Sequence, residues 1–224
     1  ERLLTQAREM AEEGVKELIL VAQETTVYGT DIYGKKSLHV LLKELCKISG
    51  IRWIRVLYCY PEEIYDELIE EMCRNKKVCH YLDMPIQHCN DDILRRMGRK
   101  TTKAELMERI RMLRERIPDI TLRTTLICGF PGETQDNHEE LMQFVNDMEF
   151  DRLGAFTYSP EEGTKAAAMP DQIDEQIKAA RSEKLIALGH DMSKEFRKFY
   201  IGKNEEVLFE EKAVIGDKEY FVGY

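Results

Sequence analysis

Residues 120–158 read ITLRTTLICGFPGETQDNHEELMQFVNDMEFDRLGAFTY. The apolar run over 120–127 predicts a buried strand, and the glycines flanking Pro131 in GFPGET (129–134) stop it. Apolar residues at helical spacing over 134–148 predict a helix, and 151–158 predicts the next strand. A strand, turn, helix and strand in this order form a βαβ unit, whose strands run parallel. The rest of the chain repeats the pattern. Leu3, Leu4, Ala7, Met10 and Ala11 share one helical face as far as Gly14, a C-terminal cap, and ELILVA (17–22) follows as a strand. Helix is predicted at 37–48, strand at 52–58, helix at 62–75, strand at 80–84, and helices at 91–97 and 102–116. Short, nearly continuous apolar strands alternating with helices indicate an α/β fold, a parallel sheet covered by helices. Part of a (β/α) barrel and an open doubly wound sheet both fit. Residues 172–200 predict a long charged helix, interrupted near Gly189. Strands at 207–211 and 219–222 around a Gly216-Asp217 turn then suggest the beginning of a second, all-β domain from Gly202. Internal repeats and low-complexity tracts are absent from the sequence.

Composition narrows the class. With 224 residues, 43% hydrophobic and 33% charged, the chain can build one sizeable core and a small appendage. No apolar run approaches the roughly 20 residues that span a bilayer, and 1–14 reads as charged helix rather than signal peptide. A cytoplasmic protein without a membrane partner is expected. The six cysteines (Cys46, Cys59, Cys73, Cys79, Cys89, Cys128) form no C-x-x-C pair and read as free thiols, mostly filling the core. The net charge of −9 favours a basic protein partner over nucleic acid. The local cluster Arg95, Arg96, Arg99, Lys100 and Lys103 reads as a solvated helix face.

Chemistry concentrates after the strands: Gln23-Glu24-Thr25-Thr26 with Tyr28-Gly29, Tyr58-Cys59-Tyr60-Pro61, Pro85-Ile86-Gln87-His88, residues 129–134, and residues 158–164 (YSPEEGT). Taken singly, each reads as a turn or a helix cap. Together, polar segments at one end of a parallel sheet read as a site. Amides at the helix start near Glu133 and Thr134 could meet a carboxylate or a ribose oxygen. The segment is neither a P-loop nor G-x-G-x-x-G. His88 is a candidate base or ligand, although a single histidine after a strand reads first as a hydrogen-bonded structural residue. No Ser-His-Asp set, zinc constellation or carboxylate dyad is legible.

In order and spacing, VAQETTVYG (21–29), YCYP (58–61), YLDMPIQHCNDDILRRMGR (81–99), RTTLICGFPGET (123–134) and DRLGAFTYSPEEGTKAAAMPDQI (151–173) resemble the methylthiotransferases of the radical S-adenosylmethionine superfamily. QETT-x-YG, PIQHCND and above all YSPEEGT resemble the branch called RimO, which modifies an aspartate of a small-subunit ribosomal protein. The branch that modifies adenosine in transfer RNA shows Q-S-G in place of Gln87-His88-Cys89 and R-P-G in place of Glu161-Glu162-Gly163. The resemblance implies a partial TIM-type (β/α)6 barrel lacking its first strand over 1–201, and the start of a small β-barrel, TRAM, over 202–224. Six acids against three lysines from Lys203 onward suit a basic protein better than RNA, so direct RNA contact is not expected.

The family also implies S-adenosylmethionine and two four-iron four-sulfur clusters in the complete enzyme, together with an electron donor. One cluster generates a 5'-deoxyadenosyl radical that takes hydrogen from the aspartate β-carbon, and the other delivers sulfur. The C-x-x-x-C-x-x-C ligand motif is absent here, so the chain is expected to be a fragment that makes no radical alone. By resemblance, Gln23, Gln87, Arg123, Ile127, Gly129 and Tyr158 line the S-adenosylmethionine pocket, while Glu161 and Glu162 face the substrate. Arg123 could instead pair with a neighbouring acid, and Ile127 could be strand core. The alternatives are the transfer-RNA branch, a cluster-free barrel lyase and a non-catalytic binding module; five matching post-strand segments fit none of the cluster-free readings.

Overall fold

A computed structural model describes residues 1–223, which fall into two compact units, 1–193 and 194–223. In the first, five parallel strands are paired in sequence order: β1 (Glu17–Leu20), β2 (Trp53–Val56), β3 (Val78–Asp83), β4 (Thr121–Cys128) and β5 (Arg152–Thr157). A doubly wound sheet reverses its strand order at a switch point, whereas a barrel wall never does, so the order selects the barrel. The helices of this unit are α1 (Arg2–Glu12), the single turn α2 (Thr30–Tyr33), α3 (Leu38–Leu45), α4 (Asp66–Arg74), α5 (Asp91–Arg96), α6 (Lys103–Arg116), α7 (Gln135–Met148) and most of α8 (Glu175–Lys198).

Each strand divides its side chains between two faces. Leu18, Ile54, Val56, Val78, Leu82, Leu122, Leu126 and Cys128 are buried and join one core with Leu42, Leu68, Met72, Leu106, Leu113, Leu141 and Phe144 from the helices. The opposite face carries charge. Glu17 pairs with Arg55 at 2.7 Å, Arg55 lies over the Tyr81 ring at 4.7 Å, and Arg123 reaches Asp83 at 2.5 Å. This polar inner wall is half-buried, as expected for a barrel interior that is a site rather than packed core. β1 pairs with β2 and presents exposed Ile19 and Val21 beside its other edge.

Several expectations are corrected. The helix expected over 62–75 is a 3₁₀ turn at Pro61–Glu63 followed by α4, since Pro61 starts a turn and the extended Ile64 and Tyr65 interrupt it. α8 runs unbroken through Gly189, and this glycine packs tightly on β5: an added Cβ would sit 3.1 Å from Leu153 Cβ. The basic cluster is not simply a solvated face. α5 stops at Arg96, Gly98 turns the chain at φ +77°, and Arg99 is thereby carried back beneath the loops while Lys103 pairs with Glu140 at 2.8 Å.

The second unit contains the end of α8 and an antiparallel hairpin, β6 (Phe209–Ile215) and β7 (Lys218–Gly223), closed by Gly216 and Asp217 with Ile215 opposite Lys218. No helix among the described residues is long and apolar enough to cross a membrane.

Candidate active site at the strand ends

The loops following β1, β2 and β3 are tied to one another by side chains whose identities were legible but whose partners were not. Glu24 accepts from the Thr26 amide (2.9 Å) and hydroxyl through one carboxylate oxygen, and from the Tyr60 amide (2.8 Å) through the other. Burial raises the pKa of its carboxyl even so. The Thr25 amide donates to Tyr58 C=O at 3.0 Å and its hydroxyl to Leu57 C=O at 2.6 Å. Asp83, buried at the end of β3, accepts from the Tyr58 amide at 3.3 Å and from Arg123 at 2.5 Å. Tyr58 and Gln87 both stand in the left-handed region, at φ +56° and +70°. Such positions cost about 1–2 kcal/mol outside glycine and cluster at functional sites.

Of the six expected pocket residues, Gln87, Gly129 and Tyr158 stand just after β3, β4 and β5, while Arg123 and Ile127 lie within β4. The Gln87 amide donates to Thr125 C=O (3.0 Å) and its carbonyl accepts from the Ile127 amide (2.8 Å), so Gln87 is bridged in parallel to β4 opposite Leu126. Arg123 and Ile127 lie four residues apart on the same face of that strand, half-buried on the inner wall. Arg123 pairs with an acid, as its simpler reading held, yet 38% of its side chain remains exposed to the interior. Gly129 follows Cys128, and Tyr158 is joined to it through the Tyr158 amide bond to Cys128 C=O, 2.8 Å. The Tyr158 hydroxyl is buried without a hydrogen-bond partner, and its ring meets Phe130 edge-on at 5.1 Å. Gln23 lies apart from these, exposed after β1. Glu161 and Glu162 are exposed in the loop after β5.

The GFPGET turn is organised differently from expectation. Thr134 caps α7 by accepting from Asn137 N (3.1 Å), and the Asn137 side chain accepts from Thr134 N (2.9 Å), so the helix start is closed by its own cap rather than open to an anion. Glu133 turns inward with no exposed side-chain surface. It accepts from Gly129 N at 2.7 Å and from Arg181 at 2.8 Å, and lies 3.8 Å from His88 Nε2. Burial raises its carboxyl pKa, although Gly129 and Arg181 both oppose this. His88 Nδ1 accepts from the Asn90 amide at 2.9 Å, which supports its structural reading.

Lys178, which the sequence reading did not single out, and Arg96, which it read as solvated, hold this frame. Lys178, buried on α8, donates to Tyr158 C=O at 3.0 Å and lays its stem against Gly129. Arg96 donates to Pro131 C=O at 2.8 Å, and its guanidinium occupies the space a Cβ on Gly132 would need. The available signal was the buried stripe Lys178, Arg181, Ser182 and Leu185: charges at core spacing. Gly129→Ala is expected to destabilise the unit by roughly 2 kcal/mol, from φ +73° and from displacement of the Lys178 stem. An unchanged thermal midpoint would contradict the close approach.

The residues present suit an adenosyl ligand better than a metal cluster. Glycine backbone at Gly129, the apolar Ile127 and the orphaned Tyr158 hydroxyl offer contacts of the kind such a ligand takes. The cysteines at strand ends are poor thiolate ligands: burial pushes the Cys89 and Cys128 thiols up to about 12 and Cys59 well above its ordinary value. Among the described residues no group of three or more His, Cys, Asp or Glu is arranged to hold a metal ion.

Comparison with known proteins agrees with the barrel. The family model described as Radical SAM superfamily matches residues 1–145. Ribosomal protein uS12 methylthiotransferase RimO of Clostridium perfringens is 54% identical over 223 residues, and that of Lachnoclostridium phytofermentans 56% over 214; they align with 100% and 96% of this chain. The chain spans about half the length of these curated relatives, 49% of each. Among solved structures, coproporphyrinogen III oxidase (HemN) of Escherichia coli, a radical SAM enzyme, superposes with TM-score 0.60 at 18% identity, over 85% of this chain and 46% of that one. Elp3 of Methanocaldococcus infernus superposes with TM-score 0.57 at 14% identity, over 83% and 49%. Sequential parallel strands, polar loops gathered at their C-terminal ends and the match over most of that wall lead to one assignment: the chain belongs to the Radical SAM superfamily.

Proposed function

We propose that this chain is the central part of a cytoplasmic methylthiotransferase acting on the β-carbon of an aspartate in ribosomal protein uS12. The observation that carries this reading is 54–56% identity, along nearly the whole chain, to proteins of that name. In the proposal, residues 1–201 are the barrel core and 202–224 begin a TRAM domain. Two four-iron four-sulfur clusters belong to the complete enzyme, held by ligands outside this chain. When bound, S-adenosylmethionine and the clusters, fed by an electron donor, supply the radical, the methyl group and the sulfur. The chain's own residues bind, orient and exclude water. Gln87 and Ile127 present backbone and side chain along the inner wall, Arg123 offers half-exposed positive charge to a carboxylate, and Gly129 lets the chain pass close to the ligand. Tyr158 closes the pocket with its unpaired hydroxyl, and Gln23, in the exposed loop after β1, is left at most at its rim.

Glu161 and Glu162 border the mouth, where acids attract a basic protein and repel phosphate. In the complete enzyme, with S-adenosylmethionine and a reductant, a methylthio group should appear on the uS12 aspartate and not on transfer RNA adenosine, as read by mass spectrometry. Reversing both glutamates to arginine should weaken uS12 capture about tenfold at low salt and less at high salt, given about 1 kcal/mol or less per exposed contact. Modification of transfer RNA instead would move the chain to the other branch, and a KM for uS12 insensitive to the reversal would remove the steering role.

A further inference from the structure

We propose that Arg99 is a positioning residue for Gln87, coupling the loops after β1, β2 and β3 through one guanidinium. The inference rests on the reading that Gln87 lines the adenosyl pocket. Only 10% of the Arg99 side chain is exposed, although it follows a short surface helix and was expected to be solvated. Its Nη2 donates to Pro85 C=O at 3.3 Å and lies 3.5 Å from Glu62 Oε2, while its Cζ stacks 4.1 Å from the centre of the Tyr60 ring. Its Nε is buried without a hydrogen-bond partner.

Pro85 C=O is the point of coupling. The Gln87 side-chain amide donates to the same oxygen at 3.4 Å, so the carbonyl that orients this side chain is itself anchored by Arg99. Gln87 stands at φ +70°, a conformation its side chain does not favour, and the segment needs an external hold to stay there. Tyr60 and Glu62 belong to the loop after β2, and the Tyr60 amide is bonded to Glu24 of the loop after β1. A planar guanidinium can stack on a ring and donate in its plane at the same time; an ammonium cannot. Lysine would keep the charge and lose the coupling.

Amide hydrogen exchange on this chain tests the idea without cofactor. In Arg99→Met, the amides of Gln87 (bonded to Thr125 C=O) and Ile127 (bonded to Gln87 C=O) should exchange about tenfold faster, while that of Leu122, held by Asp151 at the far end of β4, keeps its rate. Arg99→Lys should reproduce most of the change, and it carries the test if the methionine variant fails to fold. Unchanged rates at Gln87 and Ile127, or an equal rise at Leu122, would overturn the proposal, the latter because it marks general loosening. Should Gln87→Ala in the complete enzyme leave the KM for S-adenosylmethionine unchanged, the pocket reading would fall while the exchange result on Arg99 stood.

Discussion

Replacing Glu133 by alanine is expected to remove about 3–5 kcal/mol of folding stability, because it leaves a buried guanidinium without its partner. Glu133 has no exposed side-chain surface and Arg181 only 9%, and the two meet at 2.8 Å. The same carboxylate accepts from Gly129 N at 2.7 Å, so the variant also orphans a buried amide at the first residue of the GFPGET turn. Arg181 keeps a hydrogen bond to Glu133 C=O at 3.1 Å, which a backbone acceptor cannot turn into charge neutralisation. Against a total of about 5–15 kcal/mol for a domain, such a loss brings the unit near its unfolding threshold. Urea unfolding should show a much lower midpoint at unchanged slope. Replacing both partners by methionine should recover a large part of the loss, since it removes the orphaned guanidinium and leaves only the Gly129 amide unpaired. A loss below about 1 kcal/mol for Glu133→Ala would mean that Arg181 is solvated in solution and the pair unimportant.

Acidification is expected to unfold the first unit earlier than its carboxylates alone would dictate, on account of two buried histidines. Burial lowers both His88 and His138 from 6.5 to about 4. Around His88, His138 and Arg181 push the same way and Glu140 opposes; around His138, Arg181 and Lys184 push the same way and Glu139 opposes. The geometry agrees, since neither His138 nitrogen nor His88 Nε2 has a hydrogen-bond partner. The folded state therefore refuses a proton that the unfolded chain accepts below 6.5. Stability is fully present above that value and is lost as pH falls towards about 4, at about 1.4 kcal/mol per pH unit for each histidine. By the bottom of the window each has cost up to about 3 kcal/mol. His138→Leu removes one titration and keeps the volume, so the slope of unfolding free energy against pH should fall by about half between those limits. An identical slope in the variant would show that His138 is protonated within the fold.

Element type and order were legible in the sequence because they depend on periodicities a few residues long. The runs at 17–22 and 120–127 could hardly be other than strands, and the glycine-proline turn could hardly lie inside one. The polar segments after each strand were legible for the same reason, since a parallel sheet places every such segment at one end, whereas the choice of Gln87, Arg123, Ile127, Gly129 and Tyr158 came from family resemblance, and two of them, Arg123 and Ile127, lie within β4 itself.

What the sequence left open were choices made between residues far apart. Barrel wall or doubly wound sheet was decided by which strands pair, and pairing is non-local. The fate of the cations was decided the same way. Arg96 finds its carbonyl 35 residues away and Arg181 its carboxylate 48 residues away. Arg95 exposes 74% of its side chain, one position from Arg96 and four from Arg99. The helical pattern of α5 and α8 marks which positions face inward, but a charge there is either excluded or kept according to whether the opposite loop supplies an acceptor. Gly189 reads locally as a helix breaker and in fact packs tightly against Leu153 within the unbroken helix. Local propensity determines what a segment can become, and desolvation and packing against distant partners determine which of its polar groups become the frame of a site.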